Sequence, residues 1–300
     1  MHIPSIDCDA TRSDHAIARE IDQALREIGF MQLRNLGVTQ TAIDSMFASA
    51  QEFFSGPEAA KTRCAYGAAA ENFGYQSIGQ ESLDPSKPAD LKETFTMRDL
   101  GGGKIADDRW PSVPFRVAVQ GFYKELMQAA QRLQRLLALA LEIDAEFFVD
   151  CHNGENVTLR LLHYPPMGSS SVDAQQMGAG AHTDYGLLTL LFQDGVGGLQ
   201  VKSENGVWHD VPPLTDSIVI NSGDLLEVWS NGRYRSTWHR VLPQNANCDR
   251  YSIALFLDPD SATRVEALPS CVGPDRPARF ATTTAGEHLQ AKIEATHSAA

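Results

Sequence analysis

Apolar residues in the first half of the chain recur at helical spacing. One set repeats every three or four positions and ends just before Gly29; its members are Ile17, Ile21, Leu25 and Ile28. The same spacing predicts a second helix from about Thr39 to the Gly56-Pro57 pair, and a long third helix over about 114–141. Because such stripes usually pack against a core, we expect residues 1–150 to form a mainly helical region lying on the rest of the chain.

From residue 156 onward the pattern changes to short apolar runs separated by Gly, Pro and Asn. The predicted strands are 156–164, 187–192, 199–202, 207–210, 218–221, 225–229, 239–242 and 251–257, with 30–33 as a further short strand in the first half. Many short strands of this kind are typical of a double-sheet jelly roll. We therefore predict an α+β fold with a mainly β core over residues 151–300. Thr284 and Glu287 form a capping box that predicts a closing helix.

The composition narrows the classes of function. A formal net charge of -13 argues against a nucleic-acid partner, because phosphate binding requires a basic face. The sequence contains no apolar stretch that would span a bilayer and no charged-then-apolar leader. Its five cysteines are scattered without a Cys-x-x-Cys pair, which indicates free thiols. We expect a cytoplasmic protein without a membrane partner, and the sequence leaves its oligomeric state open.

Two histidines and an aspartate form the most informative pattern. His182 and Asp184 are two positions apart, so on a β-strand their side chains would point to the same face. His239 begins a predicted strand that could supply a third ligand from across a barrel. Two imidazoles and one carboxylate are the set that holds ferrous iron on one side and leaves the opposite positions open for oxygen chemistry. Each signal is weak alone, and the combination favours an iron site.

A second alternating pair follows further along the chain. Arg250 immediately precedes the predicted strand 251–257. If the extended backbone includes it, Arg250 and Ser252 project to the same face. A guanidinium can donate two charge-assisted hydrogen bonds to a carboxylate, and a neighbouring hydroxyl can donate a third. A lone arginine is more often a solvated surface residue. Beside the metal pattern, this pair favours a carboxylate-binding site.

With these motifs in place, the chain resembles the iron(II)- and 2-oxoglutarate-dependent dioxygenases of the isopenicillin N synthase-like subgroup. The resemblance spans nearly the whole chain and follows the family's order of segments. The matching segments are 3–7, 29–33, 35–37, 159–166 (LRLLHYPP), 182–184 (HTD), 221–224 (NSGD), 236–241 (STWHRV) and 250–252 (RYS).

The resemblance implies a role for each matching residue. The iron ligands would be His182, Asp184 and His239, the anchors of the distal 2-oxoglutarate carboxylate would be Arg250 and Ser252, and Tyr164 would contact the same co-substrate. The implied cofactors are Fe(II), 2-oxoglutarate and O2, with ascorbate as a candidate reductant. The implied reaction oxidises an unactivated C–H bond of a small molecule by hydroxylation, desaturation or ring closure, and releases succinate and CO2. Many plant members carry Asn two residues before the tyrosine, where this chain has Leu162.

In this family, substrate contacts come from the region before the long helix and from the mouth of the barrel. The corresponding candidates are Phe73, Tyr75, Lys92, Phe95, Arg98, Trp238 and Phe256. An organic acid, an amino acid or a specialised metabolite could pair its carboxylate with Arg98 or Lys92. The competing interpretation is that both cations are solvated surface charges and that Trp238 and Phe256 fill the barrel.

Three other functions fit parts of the pattern. An oxidase of the same fold would use iron without 2-oxoglutarate. A catalytically silent jelly-roll protein would bind a ligand only. A zinc or manganese hydrolase would use the same ligands, although no general base lies at useful spacing.

Overall fold

The computed structural model describes residues 1–68, 71–84, 86–102, 105–166, 175–243 and 248–297, with side chains up to residue 292. The helices are α1 (Asp14–Glu27), α2 (Gln40–Phe54), α3 (Glu58–Thr62), α4 (Val113–Ala140), α5 (Phe147–Asp150), α6 (Asp224–Trp229) and α7 (Ala285–His297). The strands are β1 (Ser5–Asp7), β2 (Phe30–Arg34), β3 (Gly74–Gln76), β4 (Glu93–Arg98), β5 (Thr158–Tyr164), β6 (Ala179–His182), β7 (Leu188–Gln193), β8 (Leu199–Lys202), β9 (Trp208–Asp210), β10 (Ile218–Ser222), β11 (His239–Val241), β12 (Arg250–Leu257), β13 (Arg264–Val265) and β14 (Thr283–Thr284).

Two sheets face each other and enclose the space in which the site lies. An eight-stranded sheet has the order β1-β2-β10-β7-β12-β5-β4-β3, and a four-stranded sheet has the order β6-β11-β8-β9. Side chains of both sheets pack in one buried apolar cluster, which includes Leu162, Tyr164, Val219 and Ala254 of the large sheet and Ala179, Leu199, Val201 and Val241 of the small one. The face-to-face packing of mainly antiparallel sheets agrees with the predicted jelly roll.

Strand register determines which side chains of the large sheet point into the space between the sheets. Residues directly opposite each other on paired strands share a face, and alternate residues along a strand do the same. We call this side the inner face. Its members include Thr96 on β4, Thr158, Arg160, Leu162 and Tyr164 on β5, Arg250, Ser252, Ala254 and Phe256 on β12, Thr189, Leu191 and Gln193 on β7, and Asn221 on β10.

The helical half packs against the opposite, outer face. α1, α2 and α4 bury their apolar stripes in the larger core cluster together with outward residues of the sheet. Its centre is aromatic: Phe95 of β4 lies 5.0 Å from Phe53, and 5.4 Å from both Phe73 and Phe115, between ring centroids. The three predicted long helices are therefore present, and Gly29 adopts the positive φ of 76° after α1.

One predicted strand is wrong. Residues 225–229 form most of the helix α6, with Leu225, Leu226 and Trp229 buried. A short apolar run is compatible with both a strand and a buried helix, and this one takes the helical form because its buried residues follow a helical spacing. The closing helix is confirmed, since Thr284 Oγ1 accepts from Glu287 N at 3.2 Å and Glu287 Oε2 accepts from Thr284 N at 3.0 Å.

The first 150 residues also contribute β1 to β4 to the large sheet. β3 and β4 lie outside the predicted strands. The helical region and the jelly roll are thus joined by shared backbone pairing between β4 and β5. Within the part of the chain that the structure describes, no helix has both the length and the apolar character to cross a membrane.

The aromatic cluster gives a test of the packing. Phe95 is fully buried, so Phe95→Ala should lower the free energy of unfolding by about 3–5 kcal/mol through lost apolar contacts and a new cavity. Urea denaturation measures this loss. The control is Val117→Ala on α4, which is 63% exposed and should change stability by no more than about 0.5 kcal/mol. A loss below about 1 kcal/mol for Phe95→Ala would show that the cluster does not support the fold.

Candidate metal centre

Three side chains from distant parts of the sequence converge at one end of the four-stranded sheet. Potential ligand atoms of His182, Asp184 and His239 all lie within 4.8 Å of one another. His182 Nε2 is 3.6 Å and His239 Nε2 is 3.7 Å from Asp184 Oδ1. The two histidines meet because they are register partners on β6 and β11. This donor set and spacing fit a divalent iron ion.

Strand alternation does not determine the position of Asp184. β6 ends at His182, so Asp184 lies in the loop beyond the strand, and the prediction that both residues share a strand is wrong on this point. The loop is held by backbone contacts with α6: Asp224 N donates to Asp184 O at 2.8 Å, and Gly223 N donates to Leu187 O at 3.0 Å. The turn between β6 and β7 therefore depends on α6 for its position.

Hydrogen bonds assign different roles to the two oxygens of Asp184. Asp184 Oδ2 accepts from Thr189 Oγ1 at 2.5 Å and from Asn221 Nδ2 at 2.7 Å, which leaves Oδ1 facing the imidazoles. Burial by itself would raise the pKa of Asp184. The nearby imidazoles and these two hydrogen bonds outweigh burial and lower the pKa, so the carboxylate stays ionised.

Backbone carbonyls orient both imidazoles. His182 Nδ1 lies 2.8 Å from Gly180 O, and His239 Nδ1 lies 3.1 Å from Thr237 O. When each Nδ1 donates its proton to the carbonyl, Nε2 presents a lone pair toward Asp184. Burial, followed by the neighbouring His239, lowers the pKa of His182 to about 4, so the ring is in its neutral, metal-binding form at pH 7.

A buried cation lies further along the inner face. Arg250 is 0% exposed and forms no ion pair with the described residues. Its Nε donates to Gly197 O at 2.5 Å, its Nη2 donates to Gln193 Oε1 at 3.1 Å, and its guanidinium lies 4.6 Å from the centre of the Tyr164 ring. An arginine without a counter-charge among the described residues is costly to bury, so this position favours an anionic ligand.

Three buried polar atoms around Arg250 have no hydrogen-bond partner among the described residues. They are Arg250 Nη1, Ser252 Oγ and Gln193 Nε2. Ser252 lies directly opposite Gln193 on β7, and Arg250 lies directly opposite Tyr164 on β5. All three atoms can donate, which is the complement of a carboxylate. The sequence pattern did not point to Gln193 at this position, nor to Thr189 and Asn221 beside Asp184. Only the register between strands reveals these neighbours.

Three of the predicted substrate residues lie away from this face. Phe73 and Phe95 belong to the aromatic core under α2 and α4. Tyr75 is opposite Phe95 on the outer face and donates its hydroxyl to Glu93. The structure does not bring any of the three together with the triad, because Phe95 and Tyr75 lie on the outer face and Phe73 packs against Phe95.

The remaining candidates differ in their surroundings. Lys92 is buried in ion pairs with Asp90 and Glu81. Arg98 donates to Glu155 O at 3.2 Å and to Asn156 Oδ1. Two aromatic candidates remain, and the structure places Trp238 at 52% exposure beside β11 and Phe256 on the inner face opposite Thr189. Phe256 is thus the aromatic candidate next to the residues that hold Asp184.

Comparisons with known proteins agree with this geometry. Residues 155–259 match the model of the 2OG-Fe(II) oxygenase superfamily, and residues 3–112 match the model of the non-haem dioxygenase in morphine synthesis N-terminal region. The 2-oxoglutarate-Fe(II) type oxidoreductase ppzD of Metarhizium rileyi is 33% identical over 95% of this chain and 87% of its own length.

Solved structures of proteins with bound 2-oxoglutarate are similar to this chain over nearly its whole length. A full-length Neurospora crassa protein in complex with alpha-KG and thymine superposes with a TM-score of 0.86 at 31% identity, covering 98% of this chain and 97% of that one. JOX2 in complex with 2OG, Fe and JA superposes with a TM-score of 0.85 at 26% identity, covering 99% and 89%.

These likenesses confirm the predicted jelly-roll fold and the predicted activity. The protein is an enzyme that uses Fe(II) and 2-oxoglutarate to oxidise a C–H bond. A silent binding module and a zinc or manganese hydrolase do not account for these relatives. The chain belongs to the 2-oxoglutarate- and Fe(II)-dependent oxygenase superfamily, in its isopenicillin N synthase-like group.

Proposed function

We propose that His182 Nε2, Asp184 Oδ1 and His239 Nε2 are the protein ligands of Fe(II). The support is the spacing of these atoms and the hydrogen bonds that turn each toward a common point. Bound Fe(II) and 2-oxoglutarate supply the oxidising chemistry, in which O2, 2-oxoglutarate and a substrate C–H bond give oxidised product, succinate and CO2. The chain contributes the ligand geometry and a largely dry space between the sheets.

The distal carboxylate of 2-oxoglutarate is assigned to Arg250, Ser252 and Gln193. The observation that carries this assignment is a buried guanidinium without a counter-charge, whose Nη1 lies with two other buried donors that have no partner in the part of the chain that the structure describes. Tyr164 supports the guanidinium through its ring face. A same-fold oxidase that does without 2-oxoglutarate would leave this cation unneutralised, which disfavours that alternative. Detection of succinate as a product distinguishes the two.

Gln193 also accounts for the departure at Leu162. Both residues lie directly opposite Ser252, one on β5 and the other on β7. Where plant relatives place an amide on the β5 side of the serine, this chain has an apolar side chain there and an amide on the β7 side. We assign to Gln193 the polar contact that Leu162 cannot make.

The substrate is proposed to be a small molecule, in line with the thymine held by the Neurospora crassa structure and the JA held by the JOX2 structure. It would enter between the jelly roll of residues 151–300 and the segments that residues 1–150 add at its mouth. A net charge of -13 supports the absence of a nucleic-acid partner, and five free cysteines support a reducing, cytoplasmic location. Ascorbate would serve to keep the iron ferrous.

Anaerobic reconstitution with Fe(II) and 2-oxoglutarate tests the ligand assignment. The wild-type protein should show the weak visible charge-transfer band of chelated 2-oxoglutarate, and His182→Ala should lose it. Arg250→Gln should weaken 2-oxoglutarate binding by roughly 10- to 100-fold, because a charge-assisted pair is lost. Arg135→Gln removes a half-exposed surface arginine and serves as the control. An unchanged titration for Arg250→Gln would refute the anchor assignment.

The two hydrogen bonds to Asp184 Oδ2 should affect the affinity for Fe(II). Asn221→Ala and Thr189→Val each remove a donor to Asp184 Oδ2, so the carboxylate can rotate and Oδ1 is no longer fixed. Each variant should bind Fe(II) about 10- to 100-fold more weakly. Equilibrium competition with a chelator measures this. Asn205→Ala, in an exposed turn after β8, is the matched control; equal affinities in all variants would contradict the proposed role.

A further inference from the structure

Two buried polar atoms on the inner face are not explained by iron or 2-oxoglutarate. Arg160 Nε and Thr96 Oγ1 have no hydrogen-bond partner among the described residues. Thr96 on β4 lies directly opposite Arg160 on β5, and Arg160 lies directly opposite Ala254 on β12. A buried donor without a partner costs stability, so two of them side by side indicate a ligand group that completes them.

The pair lies in the same space as the metal centre. Arg160 shares the inner face with Ser252, and also with Thr189, whose hydroxyl holds Asp184. The chain segment 79–92 (residue 85 lies outside the described residues) covers this region, since Asp90 Oδ1 accepts from Gly180 N at 2.8 Å on the strand that ends at His182. The Arg160 side chain is still 13% exposed. This residual exposure leaves part of the side chain accessible to a ligand.

Charges near the pair are already balanced. Lys92 Nζ contacts Glu81 Oε2 at 3.0 Å and also contacts Asp90, while Arg160 Nη2 is 2.8 Å from Glu81 Oε2. Burial would raise the pKa of Glu81, but Arg160 and Lys92 outweigh it and keep the pKa below its usual range. Two cations and two carboxylates leave this cluster without a spare charge. A substrate carboxylate placed here would be desolvated without a free counter-ion.

We propose that Arg160 Nε and Thr96 Oγ1 bind a carbonyl oxygen of an uncharged substrate, such as an amide, lactam or imide. A carbonyl oxygen has two lone pairs and can accept from both donors at once. This selection replaces the expectation that Lys92 pairs with a substrate carboxylate, since Lys92 already forms ion pairs with Glu81 and Asp90. The inference rests on the proposed function, because it takes the inner face beside the triad to be the substrate site.

Matched pairs of amide and acid test the charge selection. The probes are benzamide against benzoate and nicotinamide against nicotinate, added to the anaerobic Fe(II) and 2-oxoglutarate complex. Paramagnetic relaxation of the probe's NMR signals reports both its affinity and its proximity to iron. The amide of each pair should bind at least about tenfold more tightly than the acid. Equal or tighter binding of the acids, or no binding of any amide at millimolar concentration, would overturn the proposal.

A variant pair tests the residues. Thr96→Val keeps the shape of the side chain and removes the hydroxyl, so amide binding should weaken by about tenfold while the 2-oxoglutarate band keeps its midpoint. Thr158→Val is the control on the same face, because its hydroxyl already donates to Asn156 O at 3.3 Å. An unchanged amide affinity in Thr96→Val would reject its role. If the wild-type band itself fails to form, the proposed function fails; if it forms without amide preference, only this inference fails.

Discussion

The site depends on the way in which the carboxylate of Asp184 is fixed. One oxygen is occupied by donors from β7 and β10, so the other must face the two histidines that β6 and β11 bring together. The large sheet thereby holds the carboxylate, and the small sheet holds the imidazoles. Metal binding requires both sheets to keep their relative position, because a shift of either would separate the ligand atoms. The jelly roll is thus the frame that sets the coordination geometry.

The cations on or next to the inner face differ in whether a carboxylate accompanies them. Arg250 has hydrogen bonds to a carbonyl and an amide but no carboxylate among the described residues, so it favours an anionic ligand. Lys92 and Arg160 share Glu81, so they favour a neutral one. On the proposed assignments, the cost of burying an unpaired charge would separate a dicarboxylate co-substrate at Arg250 from an uncharged substrate at Arg160.

Much of this site follows from local sequence. His182, His239, Arg250 and Ser252 could be proposed from the sequence pattern, although the strand alternation that grouped Asp184 with His182 does not hold, because β6 ends at His182. The long helices and the capping box at Thr284 could be predicted from local spacing. The short run 225–229 could not, since an isolated apolar run is compatible with a helix and with a strand, and its packing neighbours decide between them.

The sequence by itself indicated the metal-ligand types, the proposed carboxylate-binding pair and the mainly β core. Only the tertiary structure decided that Asp184 lies in a loop, that Gln193 lies opposite Ser252, that Phe95 faces the helices and that Arg160 lies opposite Thr96. These facts depend on register between strands that are far apart in the chain. A shift of one residue would reverse every face, and nothing within a single strand specifies its partner's register.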